Sequence, residues 1–374
     1  MWHHKYLFRI DLRLILIVLL LMAISLAVIY SMTGDLKEEA GSASLVKNQL
    51  EWFLIGFLVF LFFSALDYQR LKDFSWFLYV LMFFLLLGLY FASPIQSVHR
   101  WYRLPLIGLN VQPSEYAKLV VVVALGWFLE KKKHSIKSFA TSLQVLLITG
   151  IPFFLILKQP DLGTALVLFP ITLVMCYLGE VQTWVVRTFV FLGAAALLVV
   201  VLMFSGTLSH EKMRPFFTNF LKEYQYERLN PDTYHQKAAQ IAIAIGGLGG
   251  KGWQKSEFSA KRWLPAAHTD SVFAAFGEEF GLIGMVFLVF LFFSLIYLCF
   301  QVAKYAKDSF GRLLASGIAV YLAMHVVVNV GMMCGFLPIA GVPLPLVSYG
   351  GNAVITTMAA LGVIQSIYTR RFMF

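Results

Sequence analysis

The chain has 374 residues, of which 59% are hydrophobic and only 13% charged, about half the roughly 25% charged fraction of ordinary soluble domains. So few polar side chains cannot cover a water-soluble globule of this size, which excludes soluble Rossmann, barrel and sandwich enzymes and leaves a polytopic membrane protein. A net charge of +10 would suit a nucleic-acid partner, but the charges fall in short clusters between apolar runs, as topology signals do, so none is expected.

Apolar stretches near the roughly 20 residues needed to cross about 30 Å of hydrocarbon predict ten transmembrane helices. They cover 11–31, 49–66, 74–92, 112–130, 139–158, 161–178, 184–205, 271–300, 311–333 and 351–369, the eighth tilted or carrying an interfacial turn. The first follows Lys5, Arg9 and Arg13 as a signal peptide would, yet ends without a small-residue cleavage pattern, so it is read as a retained helix. With the N-terminus cytoplasmic, inner segments hold 15 Lys and Arg, short outer segments 6 and the long segment 206–270 the other 9. That bias sets both termini inside. The whole chain, 1–374, reads as one membrane domain. Segment 206–270, its one long interval without a span, is expected to form short helices on the outer face. Three cysteines, with Cys176 inside an apolar run and Cys334 just after one, suggest neither a disulfide framework nor a zinc site.

Polar clusters at the outer helix ends carry the functional information. Arg100-Trp101 comes first, then Gln112-Pro113-Ser114-Glu115 and Lys118. Pro113 marks a helix start, Glu115 suits the positive end of the helix dipole, and Lys118 lies three residues on, on the same face. A charged pair at a membrane edge is either functional or a structural clamp between helices. Gln159-Pro160-Asp161-Leu162-Gly163-Thr164 forms an outer turn in which Asp161 either caps the sixth helix or contacts substrate.

The run Gly246-Gly247-Leu248-Gly249-Gly250-Lys251-Gly252-Trp253 is no Walker A motif, since no Lys-Ser/Thr pair ends it and no strand precedes it. Its backbone freedom would let it approach an anionic group, with Lys251 as a point charge. His268-Thr269-Asp270 follows where the long outer segment meets the eighth span, with Glu278 and Glu279 two turns further on. Asp270 reads either as a general base for a sugar hydroxyl or as an N-cap. His325 and Asn329, four apart, share a face suited to hydrogen bonds between helices. The Pro338 to Gly351 stretch, containing Ser348, is too rich in proline and glycine for a helix, so it must be buried in protein or line a cavity.

Together, Gln112-Pro113-Ser114-Glu115, Gln159 to Thr164, His268-Thr269-Asp270 and the Pro-Leu-Pro-Leu...Ser-Tyr-Gly-Gly run resemble the SEDS family (shape, elongation, division and sporulation) over essentially the whole chain, and its elongation branch most. The resemblance implies an all-α fold of about ten helices around a cavity open to the outer leaflet of a bacterial inner membrane. It also implies a glycosyltransferase that polymerises lipid II, the undecaprenyl-pyrophosphate-linked disaccharide-pentapeptide, for rod shape. It matches Asp270 to the family's essential outer-cleft aspartate, Glu115 and Lys118 to its functionally important pair and Trp101 to the tryptophan beside that site. Catalysis is therefore expected of Asp270, Glu115 and Lys118, and substrate contact of Trp101, Arg100, Gln112, Asp161, Lys251, His268 and Ser348. Expected partners are a class B penicillin-binding protein, membrane lipid and other elongation proteins. The expected cofactor is at most a divalent cation, magnesium or manganese.

Three positions depart from the family pattern: an enlarged loop between Trp101 and Gln112 carrying Arg103 and Pro105, Ala238-Ala239 in place of a Gln-Ser pair, and Asn352 in place of a serine. The alternatives are a flippase for the same precursor, a division or sporulation polymerase, and an inactive scaffold for a transpeptidase. Acids and bases concentrated on one face argue for chemistry over transport.

Overall fold

A computed structural model of the chain describes residues 10–33, 42–92, 99–104, 109–159, 161–219 and 223–371. Lys5, Arg9, Pro105 and Pro160 lie outside them. Seven helices come first: α1 (Leu12–Thr33), α2 (Ser42–Ala65), α3 (Arg70–Gly88), α4 (Pro113–Lys131), α5 (Phe139–Lys158), α6 (Leu162–Leu178) and α7 (Thr183–Phe204). Segment 206–270 then folds into the short helices expected of it: α8 (His210–Phe217), α9 (Glu223–Glu227), α10 (Tyr234–Gly246) and α11 (Glu257–Ala260). Three helices close the chain: α12 (Val272–Tyr305), α13 (Ser309–Met333) and α14 (Gly351–Arg370).

Among the described residues eight helices are long and apolar enough to cross a membrane: α1, α2, α3, α5, α7, α12, α13 and α14. Two more coincide with expected spans. Of these, α6 is apolar but only 17 residues long, and α4 carries Glu115, Lys118, Glu130 and Lys131. Boundaries differ where polar residues extend a helix beyond its apolar stretch: α2 begins at Ser42 instead of 49, taking in Lys47 and Glu51 one turn apart. Helix α13 is buried along most of its length and packs against α4, α6, α12 and α14, whereas α7 leaves nearly all its surface exposed. The centre of the bundle is therefore α13.

One feature went unforeseen, and another gives form to the turn expected in the eighth span. A small antiparallel hairpin, β1 (Tyr102–Leu104) and β2 (Leu109–Val111), pairs Tyr102 with Val111 and Arg103 with Asn110. It is pinned by the Tyr102 hydroxyl on the Leu85 carbonyl (2.7 Å) and by Asn352 Nδ2 on the Asn110 carbonyl (2.7 Å). The second is a break in α12 at Gly281, where φ is 64° and ψ −165°. An unbroken helix would send the Leu282 and Ile283 N–H groups to the Glu278 and Glu279 carbonyls. Instead Leu282 and Ile283 donate to the Gly247 and Leu248 carbonyls (2.9 and 3.2 Å), while Glu278 and Glu279 accept from Lys251 and Gly252 (2.9 and 3.0 Å). The glycine run and the broken helix thus exchange backbone partners, which satisfies the two donors and two carbonyls that the break would otherwise leave unpaired.

Two N–H groups of the glycine run are thus spent on α12 and are not offered to an anion. Gly281→Ala is expected to lower the melting temperature of the purified chain by several degrees. A Cβ there would lie 2.3 Å from the Gly250 nitrogen and 2.6 Å from the Leu248 oxygen, on a backbone that L side chains rarely adopt. Gly249→Ala, whose Cβ would meet nothing within 4 Å, is the control and should change stability by about 0.5 kcal/mol or less.

Candidate active site

Helix α4 starts as its sequence dictates, with Gln112 in extended backbone as N-cap and Pro113 in the first turn. Glu115 and Lys118 meet at 2.8 Å, with side chains only 6% and 1% exposed. The Lys118 ammonium is also 2.9 Å from His325 Nε2 on α13 and lies over the Tyr321 ring at 5.3 Å. Glu115, His325 and Tyr321 thus enclose the ammonium. Glu115 Oε2 is buried without a hydrogen-bond partner.

Asp161 caps α6 through the Thr164 N–H (3.3 Å) and also accepts from Ser114 Oγ (2.8 Å) and Gln112 Nε2 (3.0 Å). Trp101 Nε1 donates to Gln112 Oε1 (3.1 Å), and Arg100 Nε to the Gln159 carbonyl (3.1 Å). Two motifs far apart in sequence therefore form one polar patch at the start of α4 and α6.

Asp270 precedes α12, whose N-cap is Ser271 without a side-chain cap bond, so the capping reading of Asp270 fails. Among the described residues no group hydrogen-bonds to its carboxylate. Its backbone carbonyl accepts from Asn329 Nδ2 (2.9 Å), which also donates to the Val342 carbonyl (2.7 Å). A Cβ built on Gly341 would lie 3.4 Å from Asp270 Oδ2 and 3.5 Å from Arg228 Nη1, so both side chains crowd the same turn. Burial raises the Asp270 carboxyl above its ordinary pKa; Arg228 opposes this, Asp161 adds to it and Arg100 opposes it. Charges of the first patch thus reach the second.

The remaining expected residues separate. His268 packs its ring edge-on against Tyr349, at 5.8 Å between centroids, and burial lowers its pKa. Ser348 is 1% exposed, donates to the Thr269 carbonyl (2.6 Å) and accepts from the Leu344 N–H (2.8 Å). Its hydroxyl fixes the loop against the Asp270 turn. Lys251 is exposed on the glycine turn, where its charge acts on Glu257. Glu278 and Glu279 are buried and serve the outer segment. Glu278 accepts from the Phe258 and Ser259 N–H groups (2.9 and 3.0 Å), and Glu279 from Ser256 Oγ (3.1 Å) and Ser31.

Sequence reasoning missed Arg228, an isolated cation in a polar segment, and the contact of His325 with Lys118. No three His, Cys, Asp or Glu side chains cluster as a ligand set among the described residues.

The sequence profile of the FtsW, RodA and SpoVE cell cycle proteins matches residues 11–372. The chain belongs to this family. It is 32% identical over 368 residues to the peptidoglycan glycosyltransferase MrdB of Escherichia coli K12, covering 98% of this chain and 95% of that one. It is 30% identical over 364 residues to the probable peptidoglycan glycosyltransferase FtsW of Trichlorobacter lovleyi, covering 96% and 92%. Among solved structures it resembles the rod shape determining protein RodA of Thermus thermophilus, with a TM-score of 0.72, 26% identity and 98% of both chains covered. It also resembles a chain of a peptidoglycan synthase complex in which polymerization and crosslinking are coordinated, with a TM-score of 0.77, 29% identity and 98% and 99% covered. The all-α, multi-spanning fold is that of the FtsW and RodA family, and the SEDS resemblance of the motifs is family membership.

The raised Asp270 pKa has a thermodynamic signature. A folded protein that holds this proton more tightly than the unfolded chain loses stability as pH rises from the ordinary value of 3.8 through the raised one. Melting temperature against pH should therefore fall more over that window in the parent than in Asp270→Asn. Arg228→Gln removes the opposing cation and should extend the fall to higher pH. Parallel curves for all three proteins would contradict the charge environment described above.

Proposed function

We propose that this chain is a peptidoglycan glycosyltransferase that polymerises lipid II into glycan strands for cell elongation, with Asp270 as its general base. The observation that carries the assignment of Asp270 is a carboxylate that is desolvated, free of hydrogen bonds among the described residues and flanked by Arg228, in a chain of this family. Desolvation makes a carboxylate a stronger base, which suits removal of a proton from a sugar hydroxyl. In the proposed reaction the 4-hydroxyl of the acceptor's GlcNAc attacks the anomeric carbon of the donor's MurNAc. Its proton passes to Asp270, and undecaprenyl pyrophosphate departs. A single displacement without an enzyme nucleophile inverts that carbon. Arg228 and Arg100, whose charges act on Asp270, are the cations suited to the developing pyrophosphate charge. Lys118 is enclosed by protein and Lys251 is exposed on the glycine turn, and neither charge is among those that act on Asp270.

Counting α4 and α6 with the eight longer apolar helices gives ten spans, in keeping with the polar faces of both turned into the bundle. The reading further holds that a cavity open to the outer leaflet lies before Asp270. The membrane is a bacterial inner membrane, both termini are cytoplasmic, and a class B penicillin-binding protein supplies the crosslinking. Likeness to a chain of a synthase complex supports a crosslinking partner of that kind.

Topology is tested by cysteine labelling in intact cells: Glu227→Cys should react with an impermeant reagent and Lys133→Cys should not. The reverse pattern would move the site to the cytoplasm. Asp270→Asn should lower lipid II polymerisation by about 100-fold or more, the share of a general base, while melting at the parental temperature or above it, because it relieves a buried charge. A folded Asp270→Asn protein polymerising near the parental rate would overturn the base assignment. If that protein moved precursor across a vesicle membrane, transport would take its place.

A further inference from the structure

We propose that His325, as a neutral imidazole protonated on Nδ1, is a positioning residue that ties the buried Glu115–Lys118 pair to the loop holding Asp270. The inference rests on the reading of Asp270 as the base and extends it to the enclosed ion pair. With 1% exposure, Lys118 can influence chemistry at Asp270 only through intervening protein.

Donor and acceptor chemistry fixes the state of the ring. A lysine ammonium only donates, so the nitrogen 2.9 Å away, His325 Nε2, must offer its lone pair. A proline carbonyl only accepts, so His325 Nδ1, 3.0 Å from the Pro343 oxygen, must carry the proton. Both ring nitrogens are thereby assigned, and a second proton on the ring would meet the Lys118 charge head-on. Tyr321 packs edge-on against the ring, with centroids 4.7 Å apart, and restricts its rotation.

The path continues along one face of α13. Asn329, one turn beyond His325, donates to the Val342 carbonyl, next to Pro343 in the chain, and to the Asp270 carbonyl. That face therefore grips the Gly341–Pro345 turn at two adjacent carbonyls, holding Lys118 at one end and the Asp270 backbone at the other. The same turn passes beside the Asp270 carboxylate at Gly341. Replacing the His325 ring by an apolar side chain leaves the Lys118 ammonium with Glu115 as its hydrogen-bond partner and releases the Pro343 carbonyl, so the turn beside Asp270 loses one of its two holds and the carboxylate its fixed aim.

The test uses the full chain with its crosslinking partner in lipid nanodiscs. His325→Gln keeps an acceptor that can stand where Nε2 stands, and His325→Leu keeps bulk without one. Polymerisation by His325→Leu should lose about tenfold in kcat, the worth of a hydrogen bond to a charged group, with KM within about twofold, because no substrate contact is removed. His325→Gln should recover most of that loss. Equal losses in the two variants, a parental rate in His325→Leu, or an effect on KM alone would overturn the proposal.

A second measurement needs neither turnover nor these variants. Nitrogen-15 spectra of histidine-labelled protein should show His325 neutral with its proton on Nδ1, and its Nε2 resonance should shift in Lys118→Met. A ring protonated on Nε2, or one indifferent to Lys118→Met, would also overturn the proposal. Failure of the parent chain to polymerise lipid II under conditions where its partner is active would instead count against the proposed function, and the spectra would still decide the state of His325.

Discussion

An ammonium group enclosed by protein in a membrane-embedded bundle dictates much of the architecture around it. Taking the Lys118 charge out of water is costly unless it is paired and its donors are met. The bundle supplies Glu115 one turn earlier, His325 from the neighbouring helix and the face of Tyr321. Those demands force α4 and α13 together at one depth and leave the α4 start free to present Gln112 and Ser114 to Asp161. A less charged α4 would satisfy a simple hydropathy criterion for a span, but it would lose the contacts that orient it.

The two halves of the candidate site obey different rules. Around Asp161 every donor finds its acceptor, and the carboxylate is held by three groups. Around Asp270 the backbone is held while the carboxylate is not. A carboxylate that is desolvated but not hydrogen-bonded is a poor contributor to stability and a good proton acceptor. The contrast is between a carboxylate that joins two helix starts and one that, among the described residues, is left free of hydrogen bonds.

Much of this was legible in the sequence because the bilayer sets a simple length rule. Every expected span coincides with a helix, and Gln112-Pro113 and Asp161 start helices as their residue types imply. Hidden were the features whose partners come from elsewhere in the chain. The glycine run gives no sign of its exchange with α12, because glycine-rich turns serve anions and backbone exchange equally well. The Ser348 motif likewise does not reveal that its hydroxyl joins the Thr269 carbonyl to the Leu344 N–H. Arg228 had no motif at all. The hairpin after Trp101 has strands of three residues each, too short for a periodic signal.

The exchange at Gly281 also determines which substitutions the outer segment tolerates. Its bonds run between main-chain atoms, so the identities of Leu248 and Lys251 are immaterial to it. Gly246, Gly250 and Gly281 are another matter: a Cβ at any of them would run into the main chain of the opposing segment, at 2.0, 2.0 and 2.3 Å. Sequence drift in this region is therefore channelled, with the lysine and its apolar neighbour free to vary while three positions admit only hydrogen as a side chain.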